Sequence, residues 1–215
     1  MTELLAAILS TLDQLPFGWL LLAVFVFMTF ETSLLIGLFI PGDIAVLAAG
    51  AATTSWQETV LLAIVAGFGA LAGQSGGYFI GRMVGSRIRS SFLQRWITDE
   101  HWQQAEKLLI RGAGPGILAA QFLPFVHATL PVVAGVIKLQ YRRFGVWAGI
   151  GSMIWALVYV GAGAIFGQVA RADPSKMGWI TLLALTLVVA LWLIGYAIDR
   201  VFLRSRRKQP VSKPD

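Results

Sequence analysis

Four side chains able to carry a proton or a strong hydrogen bond are set into otherwise apolar sequence: Glu31, Asp43, Gln121 and His127. Glu31 has no cation near it along the chain. A carboxylate at the centre of an apolar span costs about 2.5–3.5 kcal/mol. That cost points to a paired group, a water-lined cavity or a proton site; the plainer reading is a carboxylate that meets water at an interface. Asp43 follows a break at Pro41-Gly42. There it can cap the helix beginning at Ile44 by accepting its free N–H groups. The same helix end, held within an apolar layer, could hold an anion or steady Asp43 as a proton acceptor. Gln121 and His127 share a second apolar stretch, 115–137, which carries Pro124 and Pro131. A lone buried histidine is most often a structural hydrogen-bonder. Its ordinary pKa near 6.5 also lets it gain charge in the physiological range, although burial opposes this. A contact between Glu31 and His127 would form a proton switch.

Other chemistries lack their motifs. There is no HExxH, no GxSxG and no GxxxxGK[ST]. Two histidines and no cysteine make a poor metal set, and no motif calls for a cofactor. The polar residues therefore suit binding and proton transfer, and no enzyme is expected.

The elements that must position these residues read as membrane segments. Charged residues make up 13% of the chain, against about 25% in soluble domains, and mean hydropathy is +0.73. The apolar residues gather in long runs that a soluble core would interrupt. Residues 17–52 exceed one span of about 20 residues, so the chain must break at Pro41-Gly42. A glycine-rich span follows from Thr59 to Ile80, where small residues permit close helix approach in lipid. Residues 82–112 form a basic linker. Within it Trp102, Ala105, Leu108 and Leu109 recur at helical spacing, with Asp99 as N-cap and Gly112 as stop. This helix lies at the interface or packs on the cytoplasmic end of the bundle, and His101 belongs to that interface. A second glycine-rich span, 146–169, precedes a polar loop, a last span at 179–198 and a basic tail at 199–215. The net charge of +6 sits at the ends of apolar runs, where it meets anionic head groups rather than nucleic acid.

The basic regions also set the topology. If 115–137 crossed the membrane, one strongly basic region would face away from the cytoplasm. If it enters and leaves on one side, all of them face inward. The positive-inside rule thus favours a re-entrant hairpin there. By the same logic 17–52 is an even number of crossings or an opposed hairpin, with hairpins near 30–52 and 115–137. The N-terminus is then outside and the C-terminus cytoplasmic. A faint repeat agrees: Ala49-Gly50 corresponds to Ala134-Gly135, and Gly67, Gly69 and Gly81 to Gly149, Gly151 and Gly163. The expected fold is one all-α polytopic membrane domain over residues 1–215. It is an inverted repeat of halves 17–81 and 115–170, with two opposed re-entrant helical hairpins, glycine-rich transmembrane helices and a cytoplasmic amphipathic helix.

The runs FETSLLIGLFIPGD at 30–43, LAAG at 47–50, GQSGGYFIGRMVG at 73–85 and AAQFLPFVHATLPVVAG at 119–135 resemble the DedA family. Its members are also described as SNARE-associated or VTT-domain membrane proteins. The likeness continues through Arg143, Phe144, Gly151 and Trp155 and covers about residues 17–170. The resemblance implies two opposed re-entrant hairpins in a bacterial inner membrane and lipid translocation, of undecaprenyl phosphate or a phospholipid, under the influence of protons. It carries the family's acidic pair onto Glu31 and Asp43. The family's two arginines fall on Gln121 and His127, so a neutral amide and a titratable imidazole replace two permanent cations. Arg143, with Lys138 and Arg142, could supply a cation at the cytoplasmic mouth. Partners on this reading are the lipid, protons, surrounding membrane lipids and a second copy of the chain, and no nucleic acid. A lipid-binding membrane organiser without transport, or a proton-coupled small-solute transporter, are the alternatives.

Overall fold

The computed structural model describes residues 16–33, 42–85 and 126–173, with 103, 109, 114, 116–118, 120–122, 175, 178–179, 182–186, 189–190 and 193 in addition. Five helices are defined: α1 (Phe17–Ser33), α2 (Gly42–Ala51), α3 (Trp56–Val84), α4 (Val126–Val136) and α5 (Tyr141–Ala172). Only Gln103 and Leu109 of the expected amphipathic helix are described, both helical. The hinges Pro41 and Pro124, the N-terminal lead-in and the basic tail lie outside the described residues, as does part of the span 179–198.

The first glycine-rich span is longer than its hydropathy suggests, because capping chemistry extends it. The α3 helix begins at Ser55, whose hydroxyl accepts from Glu58 N–H at 3.3 Å, while the Glu58 carboxylate accepts from Thr54 N–H at 2.7 Å. These reciprocal bonds satisfy donors that a helix start leaves open. The helix stops at Gly85, whose φ of 62° suits glycine. At 29 and 32 residues, α3 and α5 are long and apolar enough to cross a membrane. Their surroundings agree: Trp19, Phe68, Val146 and Ile165 face outward, while Glu31, Thr32, Gln74, Thr129 and Ser152 are buried. An apolar exterior around buried polar groups is the arrangement suited to lipid rather than water.

Pro131 does not interrupt its segment as the sequence suggests. It sits buried inside α4, which continues through it to Val136. There α4 turns left-handed at Lys138 (φ 57°), with Leu139 N–H donating to Ala134 O and Lys138 N–H to Gly135 O, both at 3.0 Å. This Schellman closure starts the short turn into α5.

Glycines fix how the helices run against each other. A Cβ on Gly69 would meet Phe25, one on Gly73 would meet Thr32, and one on Gly76 would meet Ser33, so α1 and α3 run in the same direction. Gly67 abuts Met153, Gly149 abuts Leu71, and the Tyr78 ring stacks on Phe144, so α3 and α5 are antiparallel. Gly163 meets the Leu47 carbonyl and Gly167 that of Ala51, so α2 runs parallel to α5. It follows that the chain reverses between α1 and α2. In the second half Gly81 meets the Val132 carbonyl and Gly135 that of Tyr78, which sets α4 against α3. The short helices α2 and α4 therefore each pack on the long helix of the other half. Thr29 and Thr32 add hydroxyl bonds from α1 to the Gly69 and Ala70 carbonyls of α3, at 3.3 and 3.2 Å. In lipid such contacts replace burial as the source of helix association.

Candidate functional site

The helix directions bring the polar residues of two distant stretches together. Glu31, at the end of α1, is 4% exposed. A Cβ on Gly42 would stand 2.9 Å from its Oε1, so only glycine lets the start of α2 approach the carboxylate. The Gly42 N–H donates to that carboxylate. Oε2 is buried and has no hydrogen-bond partner among the described residues. Asp43 and His127 both lie within electrostatic reach of Glu31. Glu31 and His127, from the two broken segments, are thus electrostatic neighbours, and Asp43 joins them.

Asp43 lies inside the first turn of α2, two steps later than a capping residue stands. Its carboxylate turns to the other half of the chain. The Trp155 indole N–H donates to Oδ1 at 2.9 Å, and the Tyr159 hydroxyl also bonds Asp43. The Trp155 and Tyr159 rings lie 5.2 Å apart. Both residues are about 20–27 Å of helix from either end of α5, at about 1.5 Å per residue. Asp43 is therefore held near the middle of the longest apolar helix. The far end of α2 is also tied to α5: the Arg171 guanidinium donates to the Ala51 and Thr53 carbonyls, both at 2.7 Å. This satisfies carbonyls that a helix end leaves open.

Gln121 belongs to a separate, uncharged cluster. Its Nε2 donates to Gln74 Oε1 at 3.0 Å, and Gln74 Nε2 donates back to Gln121 Oε1 at 3.3 Å and to Ser152 Oγ at 2.9 Å. Gln74 and Ser152 are fully enclosed, and the Gln121 stem fills the space left by Gly151. Ser152, Trp155 and Tyr159 follow at spacings of three and four, so one face of α5 joins the amide cluster to the acidic one.

Gln74, Ser152, Trp155 and Tyr159 were not singled out as site residues from residue type. Their signal is a polar group every turn or so within an apolar helix, which reads equally well as packing. Arg143 stands apart. It is exposed in the first turn of α5, twelve residues or about 18 Å of helix before Trp155. Lys138 and Arg142 are exposed at the same end, and Arg82, whose guanidinium donates to the Tyr78 hydroxyl at 3.1 Å, lies there too. Among the described residues no group of three or more ligating side chains could hold a metal.

Comparison with known proteins identifies the chain's relatives. The VTT domain pattern matches residues 40–165. The chain is 27% identical over 160 residues to Protein DedA of Escherichia coli, covering 73% of each chain. It is 27% identical over 183 residues to the inner membrane protein YqjA of the same organism, covering 80% of each. It is also 24% identical over 203 residues to the uncharacterized membrane protein slr0232 of Synechocystis, covering 90% of this chain and 91% of that one. No solved structure matches. With the pattern spanning more than half of an all-helical chain that has two membrane-length helices, the protein is a member of the DedA family of VTT-domain membrane proteins.

Proposed function

We propose that the protein moves a phosphate-bearing lipid, polyprenyl phosphate or a phospholipid, between the leaflets of a bacterial inner membrane, and that protons influence the movement. The observation that carries this reading is the meeting of Glu31, Asp43 and His127, from two separately broken segments, near the middle of the antiparallel helices α3 and α5. A head group passing between leaflets needs polar partners at that depth, since an unpaired charge there is costly.

The accompanying architecture is an inverted repeat of two opposed re-entrant hairpins. Its support is a pattern of paired contacts. Gly67 with Met153 mirrors Gly149 with Leu71; Gly81 with Val132 mirrors Gly163 with Leu47; Gly50 with Val160 mirrors Gly135 with Tyr78. Repeats related in this way can expose one central site to each side in turn. The N-terminus is assigned outside and the C-terminus to the cytoplasm from the basic residues. Glu31 and His127 are the proton-carrying pair, and Asp43 holds the site to α5. No covalent chemistry is involved.

A leaflet-resolved assay in proteoliposomes tests the proposal. Wild-type protein should move polyprenyl phosphate or phospholipid faster than protein-free vesicles, and Glu31→Gln should slow it. Equal rates in all three preparations would sink the reading. Proton-linked flux of a small solute with static lipid would favour a solute transporter of this fold. Background fluxes throughout, with lipid still bound, would favour a membrane organiser.

A further inference from the structure

Charge is unevenly shared between the two ends of the bundle. The acids of the described residues are Glu31 and Asp43 at the centre, and Glu58 and Asp173 at the end where α3 begins and α5 stops. The other end carries exposed Arg82, Lys138, Arg142 and Arg143 and no described carboxylate. The adjoining chain 86–112 keeps that sign, with Arg87, Arg89, Arg95, Lys107 and Arg111 against Asp99, Glu100 and Glu106. Arg171, at the acidic end, is committed to two carbonyls. Arg82 is held more lightly. Its Nη1 donates to the Tyr78 hydroxyl at 3.1 Å, and that hydroxyl donates in turn to the Leu139 carbonyl. A guanidinium carries a fork of donors; the phenol takes one, and among the described residues no carboxylate takes another. The bond aims the cation at the turn that follows α4.

Lys138 stands one residue from that carbonyl, exposed and at φ 57°. Among the described residues no other side chain is carried at positive φ. The position closes a helix, where glycine is the usual occupant because a Cβ is strained there. Such outliers gather where a side chain is used. The surface below the two cations is apolar. Phe79 and Met83, one turn apart on α3, are 47% and 86% exposed. The Phe79 ring stacks on Tyr141 at 5.1 Å. Ser75 gives its proton to the Leu71 carbonyl at 2.7 Å, so the Tyr141 hydroxyl is the donor in its 2.9 Å bond to Ser75 Oγ. Tyr141 is thereby pinned to α3. The corner is an aromatic ledge with Arg82 roughly one helix turn, about 5 Å, beyond it.

A partner for this corner must offer an anion at one level and hydrocarbon one turn below it. A soluble polyanion meets only the first requirement. We infer that the corner between the end of α3, the turn 138–140 and the start of α5 binds an anionic phospholipid of the surrounding leaflet, its phosphate between Arg82 and Lys138 and an acyl chain along Phe79 and Met83. The guanidinium fork suits a phosphodiester, and the lysine adds a mobile point charge. Basic corners between membrane helices select anionic head groups in this way. The site lies on the lipid-facing surface of α3, apart from the buried Glu31. Its occupant is a resident lipid, not cargo, and the inference does not depend on lipid translocation. Because Arg82 belongs to α3 and Lys138 follows α4, a bound phosphate also clamps those two helices together.

Native mass spectrometry and thermal unfolding of the full chain in detergent test the site. The probes are phosphatidylglycerol, phosphatidylcholine with the same acyl chains, and inorganic phosphate. Phosphatidylglycerol should bind about tenfold or more tightly than phosphatidylcholine, as two cations near a membrane surface would give, and should raise the melting temperature. Inorganic phosphate should leave the melting temperature unchanged. Arg82→Gln should cut the lipid preference severalfold. Lys138→Gly should cut it as well, yet raise the melting temperature in phosphatidylcholine, since glycine accepts φ 57° without strain. Lost affinity in a better-folded variant cannot be put down to lost fold. Equal binding of the two phospholipids by the wild type overturns the inference. So does an equal rise with inorganic phosphate, which marks a free-anion site, or an equal loss of preference with Arg143→Gln, which marks a diffuse basic surface.

Discussion

Gly163→Ala asks whether the contact between α2 and α5 is as close as the helix directions require. A Cβ at this position would lie 2.1 Å from the Leu47 carbonyl oxygen and 3.0 Å from its carbon. Close C···O contacts run near 3.3 Å, so α2 would have to retreat from α5 by about 1 Å. The obstacle is backbone, and no side-chain rotation removes it. Overpacking of this kind costs about 1–3 kcal/mol, offset by the roughly 0.5–1 kcal/mol that alanine gains over glycine within a helix. A net loss of up to about 2 kcal/mol is expected. Gly161→Ala, two residues away in the same helix, meets nothing within 4 Å and should keep only the gain. The retreat would also carry Asp43 away from Trp155. Thermal unfolding of both variants in detergent, with lipid movement in vesicles, reads the two effects. Equal melting temperatures for the two alanines would refute the packing argument. Gly81→Ala, whose Cβ would lie 2.1 Å from the Val132 carbonyl, should lower the melting temperature by a similar amount if the halves are equivalent.

Three other outcomes follow from the site. Trp155→Phe removes the donor to Asp43 Oδ1 at 2.9 Å. A hydrogen bond to a charged group contributes about 1.5–3 kcal/mol, so lipid movement should fall about tenfold or more with the fold retained by circular dichroism. Gln74→Leu strands the Gln121 amide and the Ser152 hydroxyl and should destabilise by about 1–3 kcal/mol. Adding Gln121→Leu should recover part of that loss in a double-mutant cycle, and strict additivity would show the two amides to be independent. Arg171→Ala leaves the Ala51 and Thr53 carbonyls without their guanidinium; proteolysis after Ala51 or Thr53 should speed up while Arg143→Ala shows no such change.

The sequence made the broken segments and their polar residues legible because each violates a strong rule: a carboxylate among apolar residues, and proline within a helix. It identified Glu31, Asp43 and His127 for that reason. Which partners those groups find was not legible, because partnership depends on helix direction. The glycines hold that information, yet a glycine reads the same whether it faces a carbonyl, as Gly163 does, or open space, as Gly161 does. Pro131 was misread as an interruption for a related reason. Proline lacks a donor, but a buried short helix packed on α3 tolerates the loss. Gln74 and Ser152 gave only the weak signal of small polar groups in an apolar run, and their roles emerge from the Gln121 amide that they hold.

The separation of charges along the bundle bears on how a head group would travel. Arg82, Lys138, Arg142 and Arg143 gather at one end, while Glu31 and Asp43 lie near the middle, about 20 Å of helix away. A phosphate is drawn to the basic end and repelled from the centre. An ammonium is drawn to the centre and repelled from that end. A head group carrying only one of the two charges meets an opposing field somewhere along the path. One carrying both can leave its phosphate near the basic mouth while its ammonium reaches inward, and it then crosses the centre as a neutral pair. Glu31→Gln, which lowers the negative charge at the centre, should therefore shift the relative rates toward polyprenyl phosphate and away from a zwitterionic phospholipid, a change of selectivity that simple destabilisation of the fold, which slows both lipids alike, would not produce.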